Sequence, residues 1–234
     1  MRILAIDTAT RATTAALWVP PGDPLELRDD PVRGERPRHT TQVLALVAAL
    51  LESCQVGWGD IDRIAVGVGP GTFTGLRVGI ATARALALAR AIPLVGVSTL
   101  RSLAMNILSR EGGLTESGLA LLDARRGEVF AAEWRQGEPS EAVLEPAPLS
   151  PEGLADLASQ LPVVAVAIGE GAVEFRPVLE DAGVFVPEDD SQLHKVTAIN
   201  HCRLARDAPA GGGPEDVRPV YLRAPDAEIA LGRR

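Results

Sequence analysis

The chain has 234 residues, 46% of them hydrophobic, 23% charged and 3% aromatic, with a net charge of −8. That suits one large globular domain or two small ones built on an aliphatic core. An acidic chain lacks the basic footprint of a protein that binds nucleic acid unaided, and its one basic cluster, Arg33, Arg36 and Arg38, reads as a solvated loop.

In chain order, residues 2–6 predict a buried strand and residues 13–19 its partner, with TATRA as the turn. Residues 20–37, rich in Pro, Asp and Arg, read as a loop with a short edge strand around 24–28. Thr40 or Thr41 can cap a helix to about residue 53. Residues 61–67 predict a strand, 73–90 a helix, 93–97 a strand and 100–110 a helix. The pattern then restarts. Residues 119–123 and 128–134 pair as strands, 151–161 form a helix, 162–168 a strand, and 174–182 and 197–206 two helices. Residues 208–214 (APAGGGP) read as a linker, 219–222 as a last strand, and the chain after Pro225 as a loose tail.

The restart is in register. Asp7 to Trp18 and Asp123 to Trp134 are both eleven residues apart, and Ala15–Ala16 match Ala131–Ala132 at the same offset. IAVGVGPG in the first half has a counterpart, VAIGEG, in the second. Internal duplication follows, giving an α/β fold of two similar lobes, each opening with a hairpin that carries an acidic residue at its tip. The expected division is residues 1–100, then 101–207, then a linker, returning strand and tail over 208–234.

Asp7 ends an apolar strand and is followed by Thr8 and Thr10, so a metal–phosphate site at the hairpin mouth and a plain turn are both open. GVGPGTFTGLRVG, residues 67–79, lacks the Lys and spacing of a P-loop and the dinucleotide fingerprint. It does hold a Pro-Gly turn and a helix start where Thr72, Thr74 and Arg77 could meet an anion, so Asp7, Thr8, Thr72, Thr74 and Arg77 are the candidate anion ligands.

The helix after that turn carries a stronger pattern. Gly75, Gly79, Ala83 and Ala87 share one face, and small residues let another helix approach closely. The earlier helix contains VLALVAALL, residues 43–51, apolar all round, although a helix on a sheet needs only one apolar face. A central core helix is one explanation; a partner-binding face of Val43, Val47, Leu50, Leu51, Gly75, Leu76, Gly79, Ile80, Ala83 and Ala87 is the preferred one. His39, His194 and His201 show no metal-ligand spacing and Ser98 is in no nucleophile elbow, so no catalytic constellation and no metal site is expected. Two distant cysteines, no signal-like start and no membrane-length apolar run predict a soluble cytoplasmic protein.

MRILAIDTAT, GVGPGTFTGLRVGIATARALA, IPLVGVSTL, LLDARRGEVFAAEW and PVYLR together resemble the TsaB family of bacterial tRNA threonylcarbamoyladenosine biosynthesis proteins, the YeaZ-like, non-catalytic paralogs of TsaD. The resemblance runs from Met1 to about Arg223 and is weakest over residues 20–36 and 135–215. It implies the duplicated actin-like, Hsp70-like (ribonuclease H-like) fold. It implies a scaffold that pairs with the TsaD transferase through the two N-terminal helices in a four-helix bundle, self-associates through the same surface, works beside the small ATPase TsaE and reaches tRNA only indirectly. In that pathway one enzyme makes threonylcarbamoyl-adenylate from threonine, bicarbonate and ATP, and the transferase passes the group to tRNA. No cofactor is implied, ATP or ADP being admissible only at the partner junction. The transferase's HxxxH metal motif falls here on VSTLRSL, where Thr99 and Leu103 replace the two histidines and cannot ligate a metal in their place. His39 matches the histidine before the first long helix, able to cap or orient it. The alternatives are a stand-alone actin-fold kinase using Asp7 and Asp123, with GVGPG and IGEG as phosphate turns, and a metallopeptidase; Arg125 and Arg126 spoil the second hairpin tip for the kinase.

Overall fold

The computed structural model describes residues 1–223 except 33, 109–114, 116, 137–141, 163 and 210–212. Two compact units emerge, residues 1–102 with 196–220, and residues 103–195 with 221–223.

In the first unit, β1 (Ile3–Asp7), β2 (Thr13–Trp18), β3 (Leu25–Asp29), β4 (Arg63–Gly69) and β5 (Leu94–Ser98) form one sheet in the order β3-β2-β1-β4-β5. The first three strands are antiparallel, and β4 and β5 join parallel to β1. Alternation along β1 decides which layer each side chain meets. Leu4 and Ile6, with Ile64, Val66 and Leu94, pack against α1 (His39–Ser53) and α2 (Phe73–Arg90). Ile3 and Ala5, with Ala16, Ala65, Val95 and Val97, point the other way. They meet the helix Ala198–Asp207, which buries Ala198, Cys202 and Ala205 against them.

That helix was expected in the second lobe. Its small buried side chains let it lie close on the first sheet, and the Arg63 guanidinium on β4 donates to the carbonyls of Ala205 and Ala208 at its C-terminal end. The segment after it also stays with the first unit. Residues 219–222 form no strand; the Val220 amide donates a single bond of 2.8 Å to the Val68 carbonyl. The expected linker 208–214 and the tail lie partly or wholly outside the described residues.

The division of the chain falls within α3 (Thr99–Leu108), after Ser102. The second unit repeats the first sheet's plan: β6 (Ser117–Arg125), β7 (Glu128–Arg135), β8 (Leu144–Leu149) and β9 (Ala165–Ile168), ordered β8-β7-β6-β9, with β9 parallel to β6. α4 (Pro151–Ala158), α5 (Glu170–Glu174) and α6 (Arg176–Asp181) accompany it, and Leu154, Ala172 and Leu179 join its core. The helix expected over 174–182 is the shorter α6, with Pro177 in its first turn; α5, which ends at Glu174, was not anticipated. The helix Ala198–Asp207 is α7, capped by the Thr197 hydroxyl, which accepts from the Ile199 amide. β8 was not anticipated; its prolines, Pro146 and Pro148, suit only an edge strand, which is where it lies.

Candidate functional site

The turn after β1 and the start of α2 carried the anion expectation. Asp7 is fully buried. Its Oδ1 accepts the Ala9 amide at 2.9 Å, and its Oδ2 lies 3.0 Å from Nε2 of His201 on α7. The two atoms are close but poorly aligned for a hydrogen bond, and neither has another partner. The other ring nitrogen of His201, Nδ1, lies 2.9 Å from Ser102 Oγ and 3.0 Å from the Thr197 carbonyl. Ser102 and His201 are likewise fully buried. Gly67 is required beneath them, because a Cβ there would overlap the Asp7 carboxylate.

The remaining glycines of GVGPGTFTGLRVG serve packing. The Thr8 hydroxyl donates to the Gly75 carbonyl at 2.7 Å, and the Thr72 amide donates to the Ala9 carbonyl at 2.7 Å. A Cβ on Gly71 would strike Ala9, and one on Gly75 or Gly79 would strike Thr8. The first turns of α2 are thus pressed onto the β1–β2 turn of the same chain. Of the five expected anion ligands, Asp7 and Thr8 are interior, Thr72 is half-buried, and Thr74 and Arg77 are exposed, with Arg77 3.8 Å over the Phe73 ring. Two of the groups that could cradle an anion there are taken up within the turn, Asp7 Oδ1 by the Ala9 amide and the Thr72 amide by the Ala9 carbonyl.

The second hairpin is closed at its tip too. Asp123 accepts the Arg125 amide at 2.6 Å and pairs with the Arg125 guanidinium at 3.0 Å. Arg125 and Arg126 sit in the left-handed region, at φ of 65° and 58°. In the IGEG turn the Gly169 amide donates to His194 Nδ1 at 3.1 Å, and His194 Nε2 faces the Pro187 carbonyl at 3.1 Å. His39 begins α1, its Nδ1 2.9 Å from the Thr13 hydroxyl on β2, so it ties the helix start to the sheet. Burial pushes its imidazole below the usual range, although Asp7 and Asp29 pull the other way. Among the described residues no group of three His, Cys, Asp or Glu is placed to hold a metal.

The expected partner face is corrected more sharply. Val43, Val47, Leu50, Leu51, Gly75, Leu76, Gly79, Ile80, Ala83 and Ala87 are all buried inside their own unit. The small-residue face does allow close approach, but what approaches is Thr8, not a helix of another chain. The opposite sides of α1 and α2 are left outward. Leu44 (51% exposed), Ala45 and Ala48 face out from α1; Phe73 (40%), Ala81, Ala85 and Leu88 (66%) face out from α2. Being apolar all round therefore supplies α1 with both a core face and an apolar outer face.

Sequence reasoning missed His201 and Ser102, which nothing in the local pattern links to Asp7. It also missed Arg84, although Arg84 was visible as the lone charge between residues 78 and 89. Its guanidinium donates to the Val217 carbonyl at 3.0 and 2.6 Å and to the Glu215 carbonyl at 3.0 Å, fixing the returning segment against α2.

No helix among the described residues is long and apolar enough to cross a membrane. A family model described as TsaD, tRNA N6-adenosine threonylcarbamoyltransferase, matches residues 35–210. The tRNA threonylcarbamoyladenosine biosynthesis protein TsaB of Escherichia coli K12 is 36% identical over 241 residues, covering 95% of each chain. A crystal structure from Pseudomonas aeruginosa, of an uncharacterized protein with similarity to peptidase YeaZ, matches with a TM-score of 0.79 and 28% identity over 95% of this chain and 99% of that one. The ROK hexokinase of Thermus thermophilus matches at a TM-score of 0.53 and 12% identity over 89% of this chain and all of that one, a likeness of fold alone. The fold is the duplicated actin-like, Hsp70-like (ribonuclease H-like) one.

Proposed function

The chain belongs to the TsaB family of proteins of tRNA threonylcarbamoyladenosine biosynthesis, and from that premise we propose that it acts there as a non-catalytic scaffold that binds and activates a TsaD-like transferase. The observation that carries a scaffold role is the outer surface of α1 and α2, where Leu44, Phe73 and Leu88 stand exposed among alanines. Apolar patches of this kind favour association. Alanines let a second pair of helices come close enough for a four-helix bundle. The contact is thereby moved from the buried ten residues to the reverse side of the same two helices. Homodimers would use the same surface when the transferase is absent. A TsaE-like ATPase and tRNA would join through the transferase, and any ATP or ADP would sit at the partner junction.

What favours a scaffold over a stand-alone kinase is the state of Asp7, which is buried and engaged by Ala9 and His201 rather than open to a metal–phosphate. A test follows from the surface. Leu44→Glu with Leu88→Glu should leave the circular dichroism and melting of the chain unchanged and weaken association with the transferase paralog tenfold or more, roughly the loss expected when the apolar centre of a contact is charged. Sedimentation velocity reads this directly. Undiminished pairing of the double variant would remove the proposed surface.

A further inference from the structure

We propose that Arg77 decides which partner the outer surface of α1 and α2 accepts: the covering protein must bring a carboxylate side chain against it, a requirement that rests on that surface being the transferase contact. Phe73, Arg77, Ala81 and Ala85 follow one another at every fourth position, so they form one ridge along α2, and all four are exposed. The ridge runs opposite the buried one of Gly75, Gly79, Ala83 and Ala87. Among the exposed residues from Phe73 to Ala89, Arg77 alone is charged. The exposed residues of α1 from Thr40 to Ala48 carry no charge. Alanines, Leu44 and Leu88 by themselves would accept many apolar helices; a single cation among them discriminates.

That cation is held in place. Its guanidinium carbon lies 3.8 Å over the centre of the Phe73 ring, one turn back along the helix. Stacking on an aromatic face is favourable and strengthens as water is removed. A side chain oriented before binding also loses less freedom on binding. Stacking uses the face of the guanidinium, whereas its N–H donors lie in the plane, at the edge.

Charge complementarity then selects the partner. Helices packed on Ala81 and Ala85 come within about 8–10 Å, axis to axis, and Arg77 on the same ridge is stripped of water by that approach. Dehydrating a charge without a counter-charge is costly. The Phe73 ring offsets part of that cost, and a carboxylate accepting paired N–H bonds offsets more. An Asp or Glu at the facing position of the partner meets the need. An apolar residue there leaves the guanidinium uncompensated, and a basic one repels it.

The test is pairing of the full chain with a TsaD-like transferase, without nucleotide, by sedimentation velocity at about 50 and about 500 mM salt. Native, Arg77→Ala, Arg77→Glu and Arg77→Lys chains are compared, with melting curves to confirm equal folding. The Leu44→Glu, Leu88→Glu chain serves as the control for the surface itself. Arg77→Ala should weaken pairing about tenfold or more, and Arg77→Glu about a hundredfold. Lysine keeps the charge but not the planar fork, so Arg77→Lys should fall between native and Arg77→Ala. Native pairing should weaken with salt, and Arg77→Ala should lose most of that dependence, which a loss of packing alone would not produce. If the Leu44→Glu, Leu88→Glu chain pairs weakly while the Arg77 variants pair like the native chain, the carboxylate requirement is overturned and the surface stands. If none of the variants is weakened, both are overturned. An Arg77 effect seen only after ADP is added would put a phosphate in the place of the carboxylate and overturn the proposal as well.

Discussion

His201→Ala removes the one group that faces the Asp7 Oδ2 atom. In the native chain that oxygen lies 3.0 Å from His201 Nε2, both residues have no exposed surface, and Gly67 closes the approach from below. No side chain is available to replace the imidazole, and Ser102 loses its 2.9 Å partner as well. Orphaning a buried neutral hydrogen-bonding group costs about 1–3 kcal/mol, and breaking a buried ion pair about 3–5 kcal/mol. An expected loss of about 3 kcal/mol is therefore a large part of the roughly 5–15 kcal/mol that holds a domain together. With a urea slope of about 2 kcal/mol/M, the midpoint should fall by roughly 1.5 M. Tryptophan fluorescence reports it, since Trp18 and Trp58 both lie in the first unit. Asp7→Asn in the same background should recover part of the loss, because a neutral amide left without His201 costs less than a carboxylate. A loss under about 1 kcal/mol for His201→Ala, or strict additivity of the two substitutions, would refute a coupled pair.

Two further outcomes follow from particular contacts. Gly79→Leu should destabilise the monomer by at least the roughly 1–3 kcal/mol typical of overpacking, because its side chain would displace Thr8 from the β1–β2 turn; thermal melting decides. His39 has its folded pKa held below the unfolded value of about 6.5 by burial, so the unfolded chain takes up a proton first as the pH falls. That part of the stability is intact above about pH 7 and is lost as the pH drops through the unfolded value towards the folded one; urea midpoints of the native chain and His39→Gln between pH 7.5 and 5 should show a shallower acid slope in the variant.

Much of the architecture was legible because periodicity reports burial. The helix expected over 73–90 is α2 residue for residue, and the strand pair around Asp123 matched because both halves repeat one hairpin pattern. β3 emerged as Leu25–Asp29, one residue beyond the short edge strand expected around 24–28. Long-range choices were not legible. Small residues at every fourth position say that something comes close, not whether it is Thr8 of the same chain or a helix of another. VLALVAALL says that two sides are apolar, and the register against the sheet alone assigns Val43 and Val47 inward and Leu44 and Ala48 outward. The seating of α7 on the first sheet depends on contacts across nearly the whole chain, such as Cys202 Sγ with the Ile3 carbonyl at 3.5 Å, and no local pattern encodes them. The Asp7–His201 pair escaped for the same reason: a lone Asp at a strand end looks alike whether it awaits a metal or a histidine.

The most direct test of the scaffold role is threonylcarbamoyladenosine formation on tRNA, with a TsaD-like transferase, a TsaE-like ATPase and threonylcarbamoyl-adenylate supplied. It is measured with the native chain, without it, and with the Leu44→Glu, Leu88→Glu chain. A scaffold predicts modification only when transferase and native chain are both present, no product from the chain alone, and a double variant that performs no better than omission. Modification at an unchanged rate without the chain would contradict it.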